Sequence, residues 1–143
     1  MNRNEMKIEF GSDPRNESFA SVVVASFMTR TNPTLEEVAD VKTAVSEAVT
    51  NSIIHGYGQK EGTIEIRAYI EERKLYIEIT DYGCGIEDVE KAMEPMFTTG
   101  KDGRSGMGFS FMEAFMDELT VESEPGKGTT VKMAKKIGAG CAV

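Results

Sequence analysis

The chain of 143 residues carries 16 basic against 24 acidic side chains, a net charge of −8, which argues against direct nucleic-acid binding through clustered Lys and Arg. One histidine and two cysteines, Cys84 and Cys141, far apart in the chain, suggest neither a zinc site nor a disulfide framework and fit a reducing cytoplasm. The length reads as one domain with its own core. Met1 to Phe10 is charged and alternating, and no stretch reaches about 18 apolar residues, so no membrane partner is expected.

In chain order, Met6-Lys7-Ile8-Glu9-Phe10 alternates apolar and polar residues, as a half-buried edge strand does, and Gly11 to Pro14 supplies a turn. Phe19, Val22, Val23, Ser26 and Phe27 recur at helical spacing, which predicts a helix from Asn16 to Arg30, stopped by Thr31-Asn32-Pro33. Thr34 with Glu37 three residues on forms a capping box. Leu35, Val38, Val41, Val45, Val49 and Ile53 then make the apolar stripe of a second helix running to about His55, with Gly56 as its C-cap.

Thr63 to Ile70 and Leu75 to Thr80 alternate and are joined by the polar turn Glu71 to Lys74, an antiparallel hairpin. Glu87 to Glu94 is expected to form a short helix closed by Pro95, and Phe97 to Gly106, polar and glycine-rich without period, a mobile loop. Phe109 to Leu119 is amphipathic, and strands Leu119 to Glu124 and Thr129 to Lys135 flank the turn Pro125-Gly126-Lys127-Gly128. The order β-α-α-β-β-α-loop-α-β-β indicates an α+β two-layer sandwich, a mostly antiparallel mixed sheet covered by helices on one face. A single domain over 1–137 is expected, with a disordered tail from Gly138.

Three groups of residues carry chemistry. Glu47 and Asn51 are four apart and project from the same side of the second helix, away from its valine stripe. Mg²⁺ takes hard oxygen ligands and keeps several waters on a nucleotide, so an Asn oxygen suits it, while a carboxylate one turn earlier can accept a proton. Taken alone, such a pair is more often a solvated helix face. Asp81-Tyr82-Gly83-Cys84-Gly85 directly follows a strand, where paired glycines admit a flat ligand and a carboxylate accepts from an amino group such as that of adenine, although a plain tight turn has the same composition. Gly100-Lys101-Asp102-Gly103-Arg104-Ser105-Gly106-Met107-Gly108 ends where a helix begins, an arrangement suited to a triphosphate, with Lys101 and Arg104 adding positive charge; the alternative is a flexible surface loop. No G-x-x-x-x-G-K-[ST] is present, and Gly106-Met107-Gly108 follows a loop where a dinucleotide fingerprint would follow a strand.

The order and flanks of these groups resemble the GHKL ATPase and kinase superfamily, named for gyrase, Hsp90, histidine kinases and MutL, which builds the Bergerat ATP-binding fold. Glu47-Ala48-Val49-Thr50-Asn51 with His55-Gly56 is similar to its N box, Asp81 to Ile86 to its first glycine box, and Arg104 to Phe109 to its second. Gly126-Lys127-Gly128-Thr129-Thr130 resembles the third. The resemblance implies Glu47 as catalytic base, Asn51 as ligand of Mg²⁺, Asp81 as reader of adenine, with Gly83 and Gly85 in its turn, and Thr129 as a water-mediated partner of the ring. It further implies ATP or ADP held by Thr98, Thr99, Lys101, Arg104, Ser105, Gly106, Met107, Gly108 and Phe109.

Within the superfamily, a conformational clamp needs domains beyond a nucleotide module of this size. A detached catalytic domain of a two-component histidine kinase needs a phosphoacceptor histidine on a dimerisation helix, whereas His55, the single histidine, ends the N-box helix. An ATPase switch without kinase activity stays open. Val45 to Tyr57, Phe97-Thr98-Thr99, Arg104 to Phe109 and Met112 to Asp117 resemble the bacterial anti-sigma factors of sporulation that are also serine/threonine-protein kinases. That resemblance implies a homodimer that withholds a sporulation sigma factor from RNA polymerase when ATP is bound and phosphorylates a serine of an anti-anti-sigma factor. The dimer contact it implies is the strand Met6 to Phe10 with the first helix. The chain departs from that family in its lid, where Gly100-Lys101-Asp102-Gly103 is shorter and glycine-rich, and in its tail.

Overall fold

The structure, a computed structural model, describes residues 4–58, 60–89 and 108–138. Its elements are β1 (Asn4–Gly11), α1 (Asn16–Met28), α2 (Leu35–Asn51), a π-helical segment (Ser52–Tyr57), β2 (Thr63–Glu71), β3 (Lys74–Asp81), α3 (Gly108–Phe115), β4 (Glu118–Glu124) and β5 (Gly128–Lys136). The strands form one five-stranded sheet in the order β1-β2-β3-β5-β4. Every pairing is antiparallel, so among the described residues the expected α+β sandwich has no parallel pair.

Alternation sets the faces of the sheet. Ile64, Ile66 and Ala68 of β2, Leu75, Ile77 and Ile79 of β3, and Val131 and Met133 of β5 are buried beneath Ala20, Val24 and Met28 of α1, Val41, Val45 and Val49 of α2, and Phe109 and Met112 of α3. Each fully buried valine of the α2 stripe contributes about 1.5–3 kcal/mol relative to exposure. The intervening strand residues are polar and pair across strands: Lys7 meets Glu65 at 3.0 Å, Lys132 meets Glu122 at 3.3 Å, and the Tyr69 and Tyr76 rings stack at 4.5 Å.

The helix boundaries adjust the sequence reading. Helix α1 ends at Met28, and a 3₁₀ turn, Thr29–Thr31, closes on Asn32 in the left-handed region (φ 58°), so the stop precedes Pro33. The capping box forms as expected: the Thr34 hydroxyl accepts from Glu37 N at 3.0 Å, and the Glu37 carboxylate accepts from Thr34 N at 2.9 Å. Leu35 is 90 % exposed, because the first turn of α2 overhangs the core and the buried stripe begins further on. Gly56 is not the C-cap of the second helix. After Asn51 the chain widens into the π-helical segment, and the capping glycine is Gly58 at φ 62°.

Helix α3 ends at Phe115 rather than Leu119, since β4 starts at Glu118. Gly138, expected to open a disordered tail, is buried; its N–H donates to the Glu37 carboxylate at 3.1 Å. The helix expected at Glu87 to Glu94 lies mostly outside the described residues, and the loop Phe97 to Gly106 wholly so. Among the described residues no helix is long and apolar enough to cross a membrane.

Candidate functional site

Glu47 and Asn51 lie on the last turns of α2, half-buried, beside the fully buried Ala48 and Val49. Directly after Asn51 the backbone changes to π-helical, a widening frequent at functional positions. The widened segment turns its main chain toward the loop after β3. Cys84 N donates to the Gly56 carbonyl at 2.8 Å, and the Cys84 thiol donates to the His55 carbonyl at 3.1 Å.

The contact is close because both sides are glycine. A Cβ on Gly83 would overlap the Gly56 carbonyl and stand 2.7 Å from its Cα, and a Cβ on Gly56 would stand 2.9 Å from Asp81 Oδ1. The His55-Gly56 pair therefore shapes the floor under Asp81, a role quite different from ending a helix.

Asp81 is the last residue of β3, opposite Ile64 on one side and Thr129 on the other, and is 3 % exposed. Its Oδ1 accepts from Gly83 N at 2.9 Å. Burial raises its pKa above the usual carboxylate value, against hydrogen bonds from Gly83 N–H, the Ser52 side chain and the Thr129 N–H that lower it. A carboxylate so desolvated and fixed gains most from one further donor, such as an amino group on a flat base laid over the glycines.

The far side of the turn is stitched to the β4–β5 turn. Gly85, at φ 78°, could not carry a Cβ without meeting Glu124 main chain at 2.7 Å. Gly126 N donates to the Cys84 carbonyl at 2.6 Å. Ile86 N donates to Ser123 Oγ at 2.7 Å, and that oxygen also shares a 2.7 Å hydrogen bond with Thr129 Oγ1. Thr129 thus has its N–H on Asp81 and its hydroxyl anchored through Ser123.

The structure brings Asp81, Gly83, Gly85 and Thr129 together with the end of the helix bearing Glu47 and Asn51. Gly108 opens α3, and Phe109, 8 % exposed, belongs to the core that α3 shares with α2. Thr98, Thr99, Lys101, Arg104, Ser105, Gly106 and Met107 lie outside the described residues. Ser52, Tyr57 and Ser123, all tied to this site, went unread in the sequence, because their partners are main-chain groups or residues far along the chain.

Among the described residues there is no group of three or more His, Cys, Asp or Glu side chains able to hold a metal. The neutral Asn51 oxygen, one turn after Glu47, is a donor that would suit a Mg²⁺ keeping phosphate and water ligands.

A model of the histidine kinase-like ATPase domain matches residues 10–135, a span from the end of β1 to the next-to-last residue of β5. The chain belongs to the histidine kinase-like ATPase domain family. As a member of that family it is a nucleotide-binding domain, and its sheet and helices follow the family fold. It is 59 % identical over 137 residues to the anti-sigma F factor of Thermoanaerobacter sp. (strain X514), a match covering 95 % of this chain and 96 % of that one. To the anti-sigma F factor of Caldanaerobacter subterraneus subsp. tengcongensis it is 60 % identical over 136 residues, 94 % and 95 % of the two chains. Among solved structures, the catalytic domain of the histidine kinase ThkA superposes with a TM-score of 0.57 at 16 % identity, covering 96 % of this chain and 97 % of that one. That likeness concerns the histidine kinase-like ATPase fold alone.

Proposed function

We propose that this chain is a cytoplasmic anti-sigma factor and ATP-dependent protein serine kinase: it binds a sporulation sigma factor when ATP is bound and phosphorylates a serine of an anti-anti-sigma partner. The observation that carries the nucleotide part is the buried Asp81 carboxylate, set on a floor of Gly56 and Gly83 and aimed by Gly83 N–H. The identity to proteins named anti-sigma F factor over nearly the whole chain supports the partner assignment.

In the reaction, the partner's serine oxygen forms a bond to the γ-phosphorus as the bond between that phosphorus and the β,γ-bridging oxygen breaks, and ADP departs. Glu47 accepts the serine proton. Asp81 accepts from the adenine amino group, and Thr129 holds a water against the ring. Thr98, Thr99, Lys101, Arg104, Ser105, Gly106, Met107, Gly108 and Phe109 are assigned to ATP binding, with Lys101 and Arg104 to counter charge on the transferring group. Asn51 would hold Mg²⁺, which would supply charge neutralisation on the phosphates. The protein works as a homodimer through β1 and α1, a reading supported by the position of β1 at the sheet edge and by Phe19 and Val22 of α1, each about half exposed.

The test is incubation of the chain with γ-labelled ATP and a candidate anti-anti-sigma protein. Label on a partner serine is expected. Glu47→Ala is expected to abolish the labelling while ATP and sigma-factor binding persist. Label on His55 instead would replace this reading with a histidine kinase, and ATP hydrolysis with no labelled protein would leave an ATPase switch.

A further inference from the structure

The phenol of Tyr57, the last residue of the π-helical segment, sits where the β2–β3 ladder stops. The final pair of that ladder is Ile64 opposite Asp81. Beyond it, the main-chain groups that would face each other are the Thr63 carbonyl and the Tyr82 N–H. The Tyr57 oxygen stands between them, accepting from Tyr82 N at 2.8 Å and donating to Thr63 O at 2.5 Å. A single oxygen spliced into a ladder keeps the strands one hydrogen bond further apart than direct pairing would. So β3 parts from β2 at Asp81, the residue from which the glycine turn departs.

The ring is held as firmly as the hydroxyl. Gly62, just before β2, packs against the ring, and a Cβ there would overlap two ring carbons and come within 2.6 Å of a third, Cδ1. The phenol's ordinary pKa of 10.0 already keeps it a proton donor to Thr63 at neutral pH, and burial raises it further. Tyr57 is thus covalently part of the segment that continues from Asn51 and is hydrogen-bonded to the turn that continues from Asp81.

We propose that Tyr57 is a positioning residue for the base-reading turn: its hydroxyl fixes where Asp81 and Gly83 stand relative to the end of α2, and so aligns the adenine half of the site with the half bearing Glu47 and Asn51. The inference rests on the proposed reading of Asp81 as the adenine acceptor. Tyr57→Phe removes one oxygen and leaves the ring on Gly62. The Tyr82 N–H and Thr63 carbonyl then either close on each other, pulling Asp81 toward β2, or admit water, loosening the turn; both outcomes displace the carboxylate from the base.

The experiment is calorimetric titration of the full chain with Mg·ATP and with the Mg complex of purine riboside triphosphate, which lacks the 6-amino group. The unmodified chain is expected to prefer ATP, because Asp81 loses its donor with the analogue. In Tyr57→Phe the ATP affinity is expected to fall about tenfold, the scale of one or two misplaced hydrogen bonds, and the ratio of ATP to analogue affinity to shrink toward one. A merely structural tyrosine would lower the melting temperature and leave that ratio unchanged. Unaltered ATP affinity and ratio in folded Tyr57→Phe overturn the proposal. Gly62→Ala, which displaces the ring but keeps the hydroxyl, is expected to shift both quantities in the same direction, and it decides the matter if Tyr57→Phe does not fold. Asp81→Ala separates the two levels. If it binds ATP as tightly as the unmodified chain, the adenine reading falls and the proposal with it. If it loses ATP while Tyr57→Phe does not, the positioning role alone falls.

Discussion

Replacing Gly83 by alanine drives a methyl group into the main chain of the π-helical segment. The new carbon would overlap the Gly56 carbonyl and lie 2.7 Å from the Gly56 Cα. These are backbone atoms, so no rotamer change can relieve the overlap, and the turn must move away from the segment. Moving it breaks the 2.8 Å bond from Cys84 N to the Gly56 carbonyl. Overpacking of this kind costs about 1–3 kcal/mol and a lost buried hydrogen bond about 1 kcal/mol more, a total of about 3 kcal/mol. For a domain of this size that corresponds to a melting temperature lower by about 10 °C. Gly126→Ala is the control, because a Cβ there meets nothing within 4 Å and suffers only from its φ of 81°, a cost of about 1 kcal/mol. Urea titrations of both variants compare them directly. A Gly83→Ala protein as stable as Gly126→Ala would refute the claim that the two backbones are in hard contact.

Two further expectations concern stability. Thr34→Ala removes the acceptor for Glu37 N and is expected to cost about 1 kcal/mol, read as a lower urea midpoint at unchanged m-value. For Asp81 the sign follows from its raised folded-state pKa: the folded chain takes up its proton more readily than the unfolded one, so the contribution is fully present below the ordinary value of 3.8 and is lost as pH rises through the folded value. The stability of the unmodified chain relative to Asp81→Asn is accordingly expected to fall as pH rises from about 4 toward neutrality. Denaturation midpoints across that range check it, and a difference that stays flat or grows with pH would contradict the burial argument.

The strands were legible because alternation is a local signal with a direct structural meaning. The alternation of Thr63 to Ile70 puts Ile64, Ile66 and Ala68 on one face, and all three are buried. The capping box was legible for the same reason, since Thr34 and Glu37 are three residues apart. Leu35 shows where such signals fail: a helical period says which side faces the core but not how far the core extends. The π-helical segment was invisible because the apolar spacing from Val49 to Ile53 is the same for an α-helix that simply continues. Asp81 could be recognised as a carboxylate at a strand end, but its burial depends on Gly56, 25 positions earlier, having no side chain. Tyr57 gave no signal, because both of its hydrogen-bond partners are main-chain groups that any residue would supply.

Glu37 is shared between two ends of the protein. Its Oε1 accepts from Thr34 N within the cap of α2 and also from Gly138 N, at the edge of the described chain and 101 positions away. A device that looks local in sequence is therefore finished only when β5 has been laid beside β3 and the residues after it have reached α2. During synthesis the first turn of α2 emerges long before Gly138 does, so until then its cap consists of the reciprocal bonds between Thr34 and Glu37 alone. The bond from Gly138 N thus joins the first turn of the helix that carries Glu47 and Asn51 to the chain just beyond the strand β5.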